Sequence, residues 1–276
     1  MSITVDLHSH TLHSHAKDTA EAMAASAFAN GMAIYGFSEH SPRPAAYPYP
    51  GDYRDKLTAS FPKYIADVIA EQERYKGRME VLLAIEMDYM PDEMAFTMEA
   101  LSRHPYDYVI GGLHFIGHWG FDHSASDWEN LSDAVCIEHF ISYYKLLADM
   151  AETGLFNIAA HPDLVKLFRK ETFTNWVETK AAQDIVCTAL TAIKRNGMAM
   201  EISSAAIRKG LGEPYPGPVV MGIARDINVP ISFGSDAHAA ADVASGFDVL
   251  AGYARSFGYE KSAVFRNRVM EMREFV

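Results

Sequence analysis

Seven short apolar runs alternate with longer amphipathic segments, and this alternation restricts the fold more than any other feature of the chain. The runs are ITVDL (3–7), AIYGFS (33–38), EVLLAIEM (80–87), YDYVIGGLHF (106–115), FNIAAH (156–161), MAMEIS (198–203) and PISFGS (230–235). Between them, near 19–31, 54–76, 92–102, 132–153, 174–196, 217–228 and 239–257, apolar residues recur three and four apart, the period of a helix with one buried face. Gly31, Gly77, Gly154 and Gly197 close four of these segments and read as helix C-cap signals. Strand, helix and strand in succession require right-handed crossovers and a parallel sheet. Seven such units predict an α/β fold, a distorted (β/α)7 TIM-like barrel with parallel strands inside and helices outside. No linker or low-complexity stretch interrupts the pattern, so one domain over 1–276 is expected. The last stretch, KSAVFRNRVMEMREFV, fits a helix or a strand, and periodicity does not decide between them.

The charge balance narrows the partners. Twenty-four basic against 36 acidic side chains leave a formal charge of −12, a field that repels a phosphate backbone and disfavours nucleic acid. Apolar residues at 49% and charged residues at 22% are globular proportions, which exclude disorder. No uncharged apolar run reaches the roughly 18 residues a spanning helix needs. The opening MSITVDLHSH has no basic start and no apolar stretch, so no secretory signal and a cytoplasmic location are expected. Cys136 and Cys187 read as two reduced thiols rather than a disulfide. A homo-oligomer is compatible with all of this.

Reactive side chains gather at the C-terminal ends of the seven runs. They are Asp6, His8 and His10; Glu39 and His40; Glu86 and Asp88; His114; His161 and Asp163; Glu201; and Asp236 and His238. In a parallel barrel those ends meet at one mouth, where catalytic groups sit. His8 and His10 are alternate residues and face the same side of an extended strand. Imidazoles and carboxylates without thiolate suit zinc, manganese or iron, and Glu86 has two oxygens with which to bridge two ions. Singly, each residue has an ordinary role open to it: His114 as a core histidine, His161-Pro162 as a strand-ending turn, Asp236 as a helix N-cap. Jointly those roles would be independent accidents at the same end of successive strands, so a metal basin is the better reading. His104 and His139 are read as structural or surface residues, and His118 and His123, which flank the loop GHWGFDH, either as lining the mouth or as ordinary structural residues. Between His13 and His15 the sequence leaves the inward-facing one open.

A phosphate needs paired cationic donors. The candidates are Arg43, Lys166, Arg169, Arg208 and Lys209, with Arg208 preferred because it follows the sixth run by a short loop of small residues. Glu39, Trp119 and the Tyr47-Pro48-Tyr49 loop are further candidates to line a substrate pocket. No Walker-type or dinucleotide glycine motif and no G-x-S-x-G elbow occurs, which argues against a nucleotide cradle and a serine hydrolase.

The motifs DLHSHT, GFSEHSPR, AIEMDY, VIGGLHFIGHWGFD, AHPDL, EISSAAIRKG and GSDAH resemble, in order, those of the polymerase-and-histidinol-phosphatase (PHP) superfamily, from residue 5 to 240. The combination of EHSPR, HFIGHWGFD and EISSAAIRKG, and the C-terminal tail, resembles its histidinol-phosphatase branch, which favours a strand at the C-terminus. The resemblance implies a distorted seven-stranded barrel with three divalent ions of zinc, manganese or iron. It implies His8, His10, Glu86 and Asp236 as ligands of one ion; Glu86, His114 and His161 of a second; and His15, His40 and His238 of a third. It implies a small phosphorylated substrate, L-histidinol phosphate in histidine biosynthesis, hydrolysed by a bridging hydroxide. Glu86, His161, Asp236 and Arg208 are then the catalytic residues expected. The alternatives weighed are an amidohydrolase-like enzyme on a similar barrel, a PHP phosphoesterase for another monoester or a nucleotide, a nuclease and a non-catalytic metal-binding domain.

Overall fold

The computed structural model describes residues 3–47 and 51–275; of the Tyr47-Pro48-Tyr49 loop, Pro48 and Tyr49 lie outside them. In chain order the elements are β1 (Val5–Asp6), α1 (Ala20–Ala29), β2 (Ile34–Phe37), α2 (Tyr53–Tyr75), β3 (Glu80–Asp88), α3 (Met94–Ser102), β4 (Tyr108–Gly112), β5 (Phe115–Ile116), β6 (Trp119–Gly120), α4 (Ser126–Glu129), α5 (Asp133–Glu152), β7 (Ile158–Ala159), α6 (Lys170–Val177), α7 (Lys180–Arg195), β8 (Ala199–Ser203), α8 (Ala205–Arg208), α9 (Pro218–Asp226), β9 (Ile231–Gly234), α10 (Phe247–Ser256), β10 (Lys261–Arg266) and β11 (Val269–Glu274).

Seven strands form one parallel sheet in the order β1-β2-β3-β4-β7-β8-β9. All seven expected runs contribute, and spatial order follows chain order, as right-handed crossovers dictate. The two ends of the sheet meet: Leu7 N donates to Phe233 O (3.0 Å), His10 N to Ala237 O (2.9 Å), and Ser9 bridges Ala237 in parallel. The result is a TIM-like barrel with helices around it. Several strands are shorter than their apolar runs because the runs' last residues leave the ladder to face the mouth. His161 does so with a φ of 24° and Asp236, two residues past β9, with a φ of 51°.

The barrel interior is packed by Val5, Leu7, Ile34, Leu82, Ala84, Tyr108, Ile110, Ile158, Ala160 and Ala199, joined by Ala263, Val264 and Phe265 of β10. The C-terminus is thus the strand alternative: β10 and β11 make an antiparallel hairpin that closes the N-terminal end of the barrel. Arg266 donates to both oxygens of Glu80 (2.5 and 2.6 Å), and Arg268 N to Asp107 O (2.8 Å). The Arg268 guanidinium reaches Asn157 Oδ1 and Leu155 O. Those partners stand at or just before the starts of β3, β4 and β7, so the chemistry is expected at the opposite end, where the strands' C-terminal residues lie.

Two expected helices differ. The 174–196 segment is part of two helices, α6 and α7, because Thr179 Oγ1 accepts from Ala182 N (3.3 Å) and starts a new one. The 239–257 segment opens with a 3-10 turn at Ala240–Asp242, and α10 begins only after Gly246 at a φ of 78°. Asp236 therefore caps no helix. Cys136 and Cys187 are both free. Among the described residues, no helix is long and apolar enough to cross a membrane.

Candidate metal centre

Glu86, near the end of β3, is the hub of the mouth. Its Oε2 lies 3.4 Å from His8 Nε2, 3.6 Å from His10 Nε2 and 2.9 Å from His40 Nδ1. Its Oε1 lies 3.2 Å from His161 Nε2 and 3.7 Å from His114 Nε2. Asp236 Oδ1 stands 3.2 Å from His10 Nε2, 3.6 Å from His238 Nδ1 and 3.8 Å from His8 Nε2. Three donor sets result, each with its ligand atoms within 4.8 Å of one another: His8, His10 and Asp236; Glu86, His114 and His161; His10, His40 and His238. His15 completes the cluster beside the third, its ring 4.3 Å from that of His238 and 5.0 Å from that of His40. His13 points the other way, with Nε2 2.8 Å from Asp67 Oδ2.

The donors fit a divalent cation. His8 Nε2, His10 Nε2, Glu86 Oε2 and His238 Nε2 are buried and have no hydrogen-bond partner, which is costly unless an ion satisfies them. The opposite ring nitrogens are held. His8 Nδ1 meets Glu201 Oε1 at 2.6 Å, His114 Nδ1 meets Asp88 Oδ1 at 2.7 Å, and His10 Nδ1 meets Glu39 Oε1 at 3.4 Å. Carboxylates behind imidazoles fix tautomer and orientation for metal binding. Glu201 also accepts from His161 N (2.8 Å) through its second oxygen, so one buried carboxylate sets two histidines. Gly112 permits the approach: a Cβ there would lie 2.8 Å from both Glu86 Oε1 and His114 Cε1.

Electrostatics follow from five carboxylates, Glu39, Glu86, Asp88, Glu201 and Asp236, packed among imidazoles. Burial would depress His114, but Asp88 and Glu86 lift it to about 9. Burial likewise opposes protonation of His8, and Glu201, Glu86 and Asp236 overcome it, raising His8 well above the usual histidine range. Burial, then the neighbouring His10, pushes His40 and His238 well below that range and His15 down to about 4. Surrounding histidines hold Glu86 and Asp236 ionised against their own burial. In metal-stripped protein, protons on His8 and His114 thus offset the carboxylates. Because the folded value of His114 exceeds the ordinary 6.5, its contribution is complete below pH 6.5 and is lost as pH rises through about 9. Melting temperatures in chelator should fall across that window, and less steeply in His114→Asn; equal slopes would refute the assignment.

The mouth opens on a cavity of about 410 Å³ lined by His15, His40, Arg43, Tyr53, Glu86, His114, Asp122, His123, His161, Leu164, Lys209, Asp236 and His238. Several expected substrate residues lie elsewhere. Glu39 is buried behind His10, its other oxygen accepting from Thr11 N (2.9 Å). Trp119 packs on Trp128 and His139, with ring centroids 5.0 and 4.5 Å away. Arg169 donates to the carbonyls of Trp128 and Leu131. Lys166 is buried in a pair with Asp163 (2.7 Å) and Glu213 (3.0 Å). Arg208 turns to the backbone, donating to Ser235 O (2.5 Å) and Asp236 O (3.0 Å). For Glu39, Arg169, Lys166 and Arg208 a nearer polar partner claims the side chain, and Trp119 is held by ring packing. Arg43 and Lys209 do line the cavity; Arg43 Nε donates to Asp88 Oδ2 (2.5 Å), and Lys209 Nζ stands 3.9 Å from Asp236 Oδ2. Sequence reasoning missed Asp122, Tyr53 and Leu164. Asp122 could have been found by its place in the loop after β4, on the mouth side of the barrel.

The PHP domain model matches residues 6–205. A Deinococcus radiodurans protein named "Probable histidinol-phosphatase" is 32% identical over 96% of this chain and 98% of its own length. A solved Listeria monocytogenes structure superposes with a TM-score of 0.79 at 20% identity, covering 89% of this chain and 99% of that one. The histidinol phosphate phosphatase of Lactococcus lactis, crystallised with zinc, L-histidinol and phosphate, superposes with a TM-score of 0.73 at 18% identity, covering 97% of this chain and 98% of that one. With the motif order, the barrel and this match across most of its length, the chain belongs to the PHP domain family, on its histidinol-phosphatase branch.

Proposed function

We propose that the chain is a divalent-metal-dependent phosphoric monoester hydrolase that converts L-histidinol phosphate to L-histidinol and phosphate, acting in the cytoplasm as one domain over 1–276. The observation that carries this reading is the meeting of three donor sets around Glu86 and Asp236 on the floor of a cavity with cationic side chains on its wall. The relatives' names point the same way. Three ions are proposed, of zinc, manganese or iron. His8, His10, Asp236 and Glu86 would hold the first; Glu86, His114 and His161 the second; and His40 and His238, with His10 or His15, the third. Bound there, divalent ions supply an activated water and neutralise charge on phosphoryl oxygens.

The chain's own groups do the rest. Glu86 places its two oxygens between two donor sets and fixes their separation. Asp236, held at a left-handed φ, is kept in place by Arg208 through the carbonyls of Ser235 and Asp236, so Arg208 is a positioning residue. Lys209 is the wall cation for the phosphate, and Arg43 lines the same cavity. Lys209→Met should lower kcat/KM by about 10-fold, chiefly through KM, the loss expected for one charge-assisted contact. An unchanged KM would remove Lys209 from the phosphate site.

The test of the whole reading is phosphate release from L-histidinol phosphate by metal-stripped protein resupplied with zinc, manganese or iron. Turnover that appears with metal and vanishes with chelator is expected. Folded protein that releases no phosphate with any of the three overturns it.

A further inference from the structure

We infer that Asp122 is the residue that selects the ammonium-bearing substrate, an inference that rests on the phosphatase reading above. The cavity wall carries three carboxylates, Glu86, Asp122 and Asp236. Glu86 and Asp236 belong to the donor sets, whereas among the described residues Asp122 belongs to none. Its Oδ1 is buried without a hydrogen-bond partner, and His123 Nε2 is 3.9 Å away, beyond bonding distance. A buried carboxylate oxygen with no donor is costly unless a ligand supplies one.

The position suits that task. Asp122 follows β6, and Phe121 N donates to His114 O (3.2 Å), which pins this loop to His114, two residues past β4. Asp122 lines the same cavity as His114 and His161 of the second donor set. Lys209 stands near Asp236 on the same wall. A zwitterionic monoester then finds cations for its phosphate and a lone carboxylate for its ammonium. A compact ammonium offers three donors and answers the unsatisfied oxygen directly. A neutral-tailed monoester would leave that oxygen buried and unpaired, which penalises binding.

The test is a substrate–variant cycle. Wild-type and Asp122→Asn proteins, both loaded with manganese, are assayed with L-histidinol phosphate and with its deamino analogue, which keeps the imidazole and the ester but lacks the ammonium. Wild-type protein should favour the ammonium-bearing substrate in kcat/KM by about 10- to 100-fold. In Asp122→Asn that ratio should collapse at least 10-fold. A purely structural role would lower both activities together and leave the ratio unmoved, and that outcome overturns the assignment while the phosphatase reading stands. Wild-type protein that hydrolyses neither compound overturns the phosphatase reading and this assignment with it.

Discussion

Glu86→Gln lowers kcat for L-histidinol phosphate by about 10³-fold or more, the loss of about 4 kcal/mol of transition-state stabilisation. Glutamine keeps the shape of the side chain and removes its charge. In the wild-type chain each carboxylate oxygen faces a different donor set, Oε2 toward His8, His10 and His40, and Oε1 toward His114 and His161. An amide nitrogen put in either place turns a donor toward groups that must themselves donate electron pairs. One set therefore loses its ligand, and metal content per chain falls. The same change removes one of the three carboxylates, Asp88, Glu86 and Asp122, that lift His114, so its titration in stripped protein moves back toward 6.5. A hub that served only as an ion-pair partner for buried histidines would behave differently. Its loss would lower the melting temperature, while activity would fall only with the folded fraction. Metal analysis and kcat in excess metal separate the two. A variant with full metal content and more than a tenth of wild-type kcat would refute the bridging role.

The fold and the gathering of candidate ligands at one mouth were legible in the sequence for one reason: both depend on strand ends. Short apolar runs separated by segments of helical periodicity located seven strands, and chain order alone then placed His8, Glu86, His114, His161 and Asp236 at one mouth. His13 and His15 could not be separated, because both follow a β1 too short to impose strand alternation that far. The structure decides by the partner His13 finds in Asp67 on α2, a contact between residues 54 apart. The cations failed for the same kind of reason. Arg169, Arg208 and Lys166 all follow strands with basin residues, as Lys209 does. Whether each faces the cavity depends on competing acceptors supplied by distant loops: Trp128 and Leu131, Ser235 and Asp236, Asp163 and Glu213. Spacing carries no record of those partners. Glu39 and Glu201 were expected at the mouth, and their depth behind His10 and His8 is a property of packing.

Gly234→Ala tests how tightly that packing is set. Gly234 ends β9 with no positive φ, so its lack of a side chain is not about backbone freedom. A Cβ there would lie 2.6 Å from His8 Cβ, and closer still to Glu201 Oε1. Neither neighbour yields easily. His8 is fully buried on the strand closing the barrel against β9, and Glu201 is clamped between His8 Nδ1 (2.6 Å) and His161 N (2.8 Å). One methyl group must therefore displace the carboxylate that orients two ligands, or push β9 away from β1 at the seam of the barrel. Overpacking of this kind costs about 1–3 kcal/mol of stability. The larger effect is on the centre, because loss of a carboxylate behind a metal-binding imidazole weakens metal affinity about 10- to 100-fold. With His8 and His161 in different donor sets, both sets suffer, so turnover at limiting metal should fall at least 100-fold and recover in part as metal is raised. Glu201→Gln, which changes the same contacts without adding volume, should reproduce the metal dependence while retaining more of the stability. If Gly234→Ala proved as stable and as metal-retentive as the wild type, Glu201 would not be the strut that holds the two histidines in register.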